Sequence, residues 1–377
     1  SDVCSSDLRR SATRFPNSLL AFKVNSTKEL FFICRYPSHM TSHRDTLAMT
    51  HFDVFNGDAD GLCALHQLRL VFPRKSVLIT GVKRDIALLK RIKPHRGDFI
   101  TVFDISFEVN RPEVLKLLQQ GIEIDYFDHH ECNHLPIHTG LRTHIDTSSS
   151  VCTAILVDQF LSGRYRLWTI VAAFGDNLIE PATTLSKLFS LTFEQQLILK
   201  QLGFYLNYNS YADTEDDLII HPAELYQRLH HYVDPFEFVL KEAIVEQLRS
   251  TYTEDIRYAM SCNHYAESMS YQIIILPDER WSHRIRGAFA NTVINKNPNR
   301  ACAILSINKQ GSYTVSVRVP RSSKVTAGQF CKNFATGGGR ATAGGINNLD
   351  MNRFDEFVTI PSDSILPSTF APYALIL

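Results

Sequence analysis

No CxxC pair occurs in this sequence, although it holds eight cysteines, Cys4, Cys34, Cys63, Cys132, Cys152, Cys262, Cys302 and Cys331. Thiols scattered in this way argue against a zinc ribbon and against a dense disulfide frame, so a reducing, cytoplasmic setting is the expectation. Excess charge is missing too. Lys+Arg and Asp+Glu each number 39, and no global positive field marks the chain as a partner of long nucleic acid. A basic groove inside a neutral total stays open. No apolar run approaches the ~20 residues that a bilayer-spanning helix needs, and neither an internal repeat nor a low-complexity tract is found. What is there is the composition of an ordinary globular protein, and 377 residues suffice for two domains.

Residues 1–48 do not read like the rest. They begin without Met and show no secretory h-region, and Asp2 and Asp7 fit poorly with an acid-poor transit peptide. Met49 is expected to be the true start. Residues 1–48 are then a non-native or disordered leader with a short apolar segment at "KELFFICRY".

From Met49 onward the hydrophobic period switches between two and 3.6. "HFDVF" predicts a strand, "GLCALHQLRLVF" a helix, "SVLITGV" a strand, "DIALLKRI" a helix, "FITVFDI" a strand, "RPEVLKLLQQ" a helix and "IEIDYF" a strand. Such alternation implies parallel βαβ units with helices on both faces. Residues 49–180 are expected to form this parallel α/β domain. Residues 181–262, with "TFEQQLILKQLGFYL" and "PFEFVLKEAIVEQLRS", predict a helical connector. In residues 263–377, strands at "YQIIILP", "RACAILSI" and "YTVSVRV" interleave with helices at "HRIRGAFANTVI" and "TAGQFCKNF", giving a smaller C-terminal α/β domain. The fold class is therefore α/β.

In parallel sheets functional residues gather at the carboxyl ends of the strands, beside a topological switch point. Asp58 and Asp60 follow the first strand, Asp104 ends the third, and Asp128, His129 and His130 end the fourth. Asp176 closes an apolar helical run that projects toward the same rim. Each one alone reads as a helix cap. Together they make a negative site that is costly unless cations neutralise it. Carboxylate and imidazole without thiolate suit Mn²⁺, with Mg²⁺, Co²⁺ or Zn²⁺ as competitors.

"DADG", "FDIS", "DHH" and "FGDN", in this order, resemble the four motifs of the DHH phosphoesterase superfamily. "VSVRVP" followed by "FATGGGRATAGG" resembles its substrate-binding DHHA1 domain, so the likeness covers most of the chain after Met49. The resemblance implies a site for two ions, Mn²⁺ or alternatively Mg²⁺ or Co²⁺, bridged by Asp104. Asp58 would hold one ion, and Asp60, His129 and Asp176 the other. His130 would face the substrate phosphate, and Asp128 would orient the histidines. Two such cations can activate a water and neutralise the phosphoester oxygens.

Three features modify this picture. Val54 and Asn56 stand where many relatives carry His and Asp, so the first ion has fewer strong ligands, with the Asn56 carbonyl as a weaker one. Arg340 replaces the His of a GGGH signature and would offer a bidentate phosphate contact. Gly337, Gly338 and Gly339 lack Cβ, so their amides could approach a phosphate closely, with Arg318 on the preceding strand as a cationic partner and Arg286 as a weaker one; the alternative is a flexible hairpin turn. "NYNSYADTEDD" reads as an interruption between helices, either packing or reaching the cleft.

The expected activity is metal-dependent hydrolysis of short oligonucleotides or linear dinucleotides. A phosphatase on a 3′,5′-bisphosphate nucleotide is the near alternative, followed by a RecJ-like single-strand exonuclease, and a nucleotide-binding module without turnover is the alternative from a different class. The expected partner is thus a short oligonucleotide or small nucleotide phosphate, with no membrane, and a homodimer is the largest assembly expected.

Overall fold

The structure, a computed structural model, describes residues 49–364; the expectations for residues 1–48 lie outside the described residues. The first sheet is built from β1 (His51–Phe55), β2 (Val77–Ile79), β3 (Phe99–Phe103), β4 (Glu123–Asp128) and β5 (Leu141–Ile145). Its order is β2-β1-β3-β4-β5, and every pairing is parallel. The chain leaves β1 toward β2 on one side and returns to β3 on the other. The switch point therefore lies between β1 and β3, where a crevice opens beyond the strand ends.

Helix α1 (Ala59–Val71) follows β1, and α2 (Phe107–Gln119) connects β3 to β4. Two local expectations change. "DIALLKRI" contributes only a 3-10 turn at Leu88–Arg91, whose Leu88 and Leu89 are buried. A fifth strand, β5, adds to the predicted four; its residues are only partly buried and its apolar alternation is weak, and His144 on it stacks on Phe127 with ring centroids 4.3 Å apart. One buried ion pair ties β1 to α1. Asp53 accepts from Arg69 Nε at 2.9 Å and from Ser76 Oγ at 2.6 Å, while Arg69 also donates to Thr101 Oγ1 at 2.9 Å.

Helices α3 (Thr153–Phe160), α4 (Arg166–Gly175), α5 (Ile179–Leu188), α6 (Phe193–Ser210), α7 (Pro222–Leu229), α8 (Pro235–Lys241) and α9 (Ala243–Ser261) come next. Residues 181–262 are mostly helical, as the pattern predicts, with an irregular stretch between α6 and α7 that holds a 3-10 turn at Glu215–Asp217. Helix α6 starts at a capping box in which Thr192 and Gln195 satisfy each other's backbone amides, the arrangement that "TFEQ" encodes. "PFEFVLKEAIVEQLRS" forms two helices rather than one, interrupted at Glu242, whose backbone is extended. These helices do more than connect. Leu199, Leu202 and Leu206 of α6 and Leu225 of α7 share one buried core with Phe55, Leu62 and Trp168.

The second sheet comprises β6 (His264–Glu267), β7 (Tyr271–Leu276), β8 (Ala301–Ile307), β9 (Tyr313–Arg318), β10 (Gly337–Gly339) and β11 (Ala343–Leu349), in the order β10-β11-β9-β8-β7-β6. Only β7 and β8 pair in parallel; the other pairings are antiparallel. Helices α10 (Arg280–Lys296), α11 (Ala327–Cys331) and α12 (Phe354–Ser364) accompany it. Both sheets belong to one compact unit. None of the described helices is long and apolar enough to cross a membrane, and the described cysteines are free.

Candidate metal centre

The turn after β1 delivers Asp58 and Asp60. Asp58 caps α1, its Oδ1 accepting from the amides of Asp60 at 3.0 Å and Gly61 at 3.1 Å. Asp60 is fully buried and accepts from the Thr153 and Ala154 amides, each at 2.7 Å, at the start of α3. Asp104 follows β3 with φ of 57°, a left-handed conformation that is uncommon for a residue with a side chain and that clusters at functional sites. Its Oδ1 accepts from Thr153 Oγ1 at 3.2 Å. Asp176 caps the C-terminus of α4.

His129 joins these groups. Its Nε2 stands 3.3 Å from Asp104, 3.7 Å from Asp176 and 4.0 Å from Asp60. Its Nδ1 is 3.0 Å from the Val151 carbonyl, which fixes the ring and leaves Nε2 toward the acids. Asp128 holds the neighbouring turn: Oδ2 accepts from the Phe107 amide at 2.9 Å, and Oδ1 from the amides of His129 at 2.9 Å and His130 at 3.2 Å and from His130 Nδ1 at 2.7 Å. Asp128 therefore orients both histidines and does not face the cluster itself.

Burial and the negative charges of Asp60, Asp58 and Asp176 push the pKa of Asp104 well above the usual carboxylate range. Asp60 is raised by burial and by Asp176. Asp58 goes the other way: burial raises it, but the Lys83 ammonium, with the hydrogen bonds from Gly61 and Asp104, lowers it overall. For His130, burial lowers the imidazole pKa, but the bond to Asp128 and the charges of Asp128, Asp58 and Asp60 together raise it.

The donor set fits a hard or borderline divalent cation. Asp60, His129 and Asp176 offer ligand atoms within 4.8 Å of one another, and so do Asp104, His129 and His130. Oxygen and imidazole donors with an uncompensated negative charge are what Mn²⁺ or Mg²⁺ binds. Asn56 adds a buried Oδ1 with no hydrogen-bond partner among the described residues, while its Nδ2 donates to the Lys83 carbonyl at 3.3 Å. Val54 is wholly within the apolar core and offers no ligand.

Several participants escaped the sequence reading. Lys83, from the end of the β2 segment, sends its Nζ to Asp58 Oδ2 and lies 3.3 Å from Asp176 Oδ1. Burial opposes its charge, but Asp58 and Asp176 outweigh it and hold its pKa well above the lysine value. The rule that selected the acids, polar residues beyond strand carboxyl ends, applies equally to "TGVKRD". Asn207 of "NYNSY" accepts from the Ala59 amide at 3.3 Å and donates to the Gly175 carbonyl at 2.7 Å and to Tyr211 Oη at 3.0 Å. It clamps the start of α1 to the end of α4, the two places that carry Asp58, Asp60 and Asp176.

The C-terminal residues divide. Arg318 donates to Asn291 Oδ1 at 2.6 Å and to the Val317 and Gly287 carbonyls at 2.9 and 3.4 Å, all neutral acceptors. Arg340 has an exposed side chain. Arg286 is not available to a ligand; it is buried against Asp213, 2.8 Å away, and Ser306. Gly337–Gly339 is neither a turn nor a loop but strand β10, paired with β11. A Cβ on Gly337 would fall 1.7 Å from the Cys331 carbonyl, and one on Gly339 2.5 Å from that of Ala343, whereas Gly338 faces open space. Close backbone packing accounts for the first and third glycines. A cavity of about 800 Å³ lined by Glu215, Arg228, Arg280 and Lys309 among others includes none of the predicted site residues.

No protein-family model and no curated protein matches the sequence. Solved structures do match. Over 82% of this chain and 85% of the other, the protein is similar, with a TM-score of 0.59 and 11% identity, to a DHH-domain protein described as a member of the S1P family of ribosomal proteins. RecJ from Thermus thermophilus in complex with Mn²⁺ gives 0.55 and 16% identity over 82% of this chain and 51% of RecJ. An exonuclease RecJ bound to manganese gives 0.52 and 14% over 82% and 88%.

Proposed function

We propose that this chain, which has the fold of the DHH-domain proteins, is a divalent-metal-dependent phosphoesterase that hydrolyses short oligonucleotides or linear dinucleotides. The observation that carries the reading is the convergence of Asp60, Asp104 and Asp176 on His129 Nε2 beside the switch point. Manganese in the RecJ structures of the same fold supports Mn²⁺ as the ion. When bound, a divalent ion supplies an activated water at neutral pH and neutralises charge on the phosphoester oxygens.

The chain's own residues do the rest. Asp60, Asp104, His129 and Asp176 hold the ion. Asp128 fixes the His130 ring through the bond to Nδ1, so His130 is oriented to supply a hydrogen bond to the phosphate or a proton to the leaving oxygen. Arg318, which forms no ion pair among the described residues, offers its charge to a second phosphate. On the side of the acids, the Tyr211 ring centroid lies 5.9 Å from Lys83 Nζ. A grip on one phosphate with cleavage at another favours short substrates.

The test is Mn²⁺-dependent turnover of a dinucleotide, a five-residue RNA, a 3′,5′-bisphosphate nucleotide and pyrophosphate, each with the parent and Asp104→Ala. Cleavage of the dinucleotide or RNA by the parent alone is the expected result. Preference for the bisphosphate would make the protein a phosphatase. Tight nucleotide binding without product would make it a binding module.

A further inference from the structure

The resemblance implies two cations, yet the position beside Asp58 is already taken by a cationic side chain. Asp58 accepts from the Asp60 and Gly61 amides at Oδ1 and from Lys83 Nζ at Oδ2. Neither cluster of possible metal donors includes it. The two neighbouring positions that would add charge around a first ion are Val54, an apolar core residue, and Asn56, a neutral amide.

Lys83 is not a surface side chain that has swung inward by chance. Its backbone is pinned on both sides, the amide donating to the Ser210 carbonyl at 3.0 Å and the carbonyl accepting from Asn56 Nδ2 at 3.3 Å. Its ammonium lies between Asp58 and Asp176 and beside the Tyr211 ring. An ammonium on a tether supplies a fixed positive charge where an ion would need three or more ligands.

We propose that Lys83 takes the place of one of the two cations, so that the site binds a single divalent ion through Asp60, Asp104, His129 and Asp176, with the Lys83 ammonium as the second positive charge. The inference rests on the metal-dependent reading above, and goes beyond it by assigning the number of ions and a role to a residue outside the DHH motifs. In this arrangement Lys83 neutralises Asp58 and stands beside Asp176. It exchanges no ligands, so it cannot be removed by a chelator.

The test counts ions and needs no substrate. Equilibrium dialysis of the full chain against Mn²⁺, with the metal measured by mass spectrometry, is expected to give one ion per chain, and the electron paramagnetic resonance spectrum the six lines of an isolated ion. Lys83→Met is expected to bind two ions, with an exchange-coupled spectrum. Lys83→Leu, which likewise removes both the charge and the hydrogen bond to Asp58, is expected to do the same and serves if the methionine variant does not fold. Two ions in the parent, or one in a folded Lys83 variant, would overturn the assignment while leaving metal-dependent hydrolysis intact. No ion in the parent would overturn both.

Discussion

Gly203 of α6 rests against Gly175 of α4 so closely that a β-carbon on Gly175 would stand 3.0 Å from the Gly203 carbonyl, and one on Gly203 only 2.2 Å from the Val171 carbonyl. The crossing sets the height of the α4 C-terminus and hence of Asp176, the next residue. Helix propensity alone would favour alanine at Gly203 by ~1 kcal/mol. The backbone clash is larger. Gly203→Ala is expected to lose ~1–3 kcal/mol in urea unfolding, the usual cost of overpacking, and to weaken Mn²⁺ binding. A more stable variant would show that the helices separate without cost.

Asp104 carries a carboxylate that burial and three neighbouring acids disfavour. Its pKa in the folded chain is raised above the ordinary 3.8, so its contribution to stability is fullest below that value and is lost as pH rises through the folded pKa. Asparagine tolerates the same left-handed backbone. Metal-free Asp104→Asn is therefore expected to be more stable than the parent, by a margin that grows with pH above about 4. Added Mn²⁺ at a hundred times its Kd should raise the parent by about 2.7 kcal/mol and the variant by much less. Thermal unfolding across a pH series, with and without Mn²⁺, reads both effects.

Arg69 and Asp53 form a buried pair between α1 and β1. Arg69→Met leaves Asp53 with Ser76 as its remaining side-chain donor. Removing one partner of a buried pair costs ~3–5 kcal/mol, and a loss of that size in chemical denaturation is expected. Replacing both residues with apolar ones should recover part of it, as a double-mutant cycle would show.

His66 is buried edge-on to Trp168, with ring centroids 4.8 Å apart, and its Nε2 lies 2.8 Å from the Tyr232 carbonyl. Burial lowers its pKa to about 3 from 6.5. The folded chain keeps the ring neutral while the unfolded chain protonates it, so stability is full above 6.5 and falls with pH through the window down to about 3. Within that window the loss approaches about 1.4 kcal/mol per pH unit. His66→Gln is expected to flatten this acid limb in urea titrations; an unchanged slope would assign it to other groups.

The parallel sheet and the rim of acids were legible because both follow from local pattern. A period of two alternating with 3.6 implies βαβ units, and chirality places all their strand ends on one edge. Asp58, Asp60, Asp104 and His129 are found there for that reason. The 3-10 turn at Leu88–Arg91 and the weak strand Leu141–Ile145 were not legible, since too few apolar residues mark their period. Gly337–Gly339 reads as a turn in any local window and becomes a strand only because β11 pairs with it.

The sequence by itself thus determined most element types, the parallel character of the first sheet and the donors collected at its edge. The tertiary structure decided what those donors face. Asn207 joins helix ends 148 residues from Ala59 and 32 from Gly175, Lys83 reaches Asp176 across 93 positions, and Asp213 withdraws Arg286 from the cleft. Hydrogen bonds and ion pairs act over about 3 Å, and only the packed chain states which distant residues come that close.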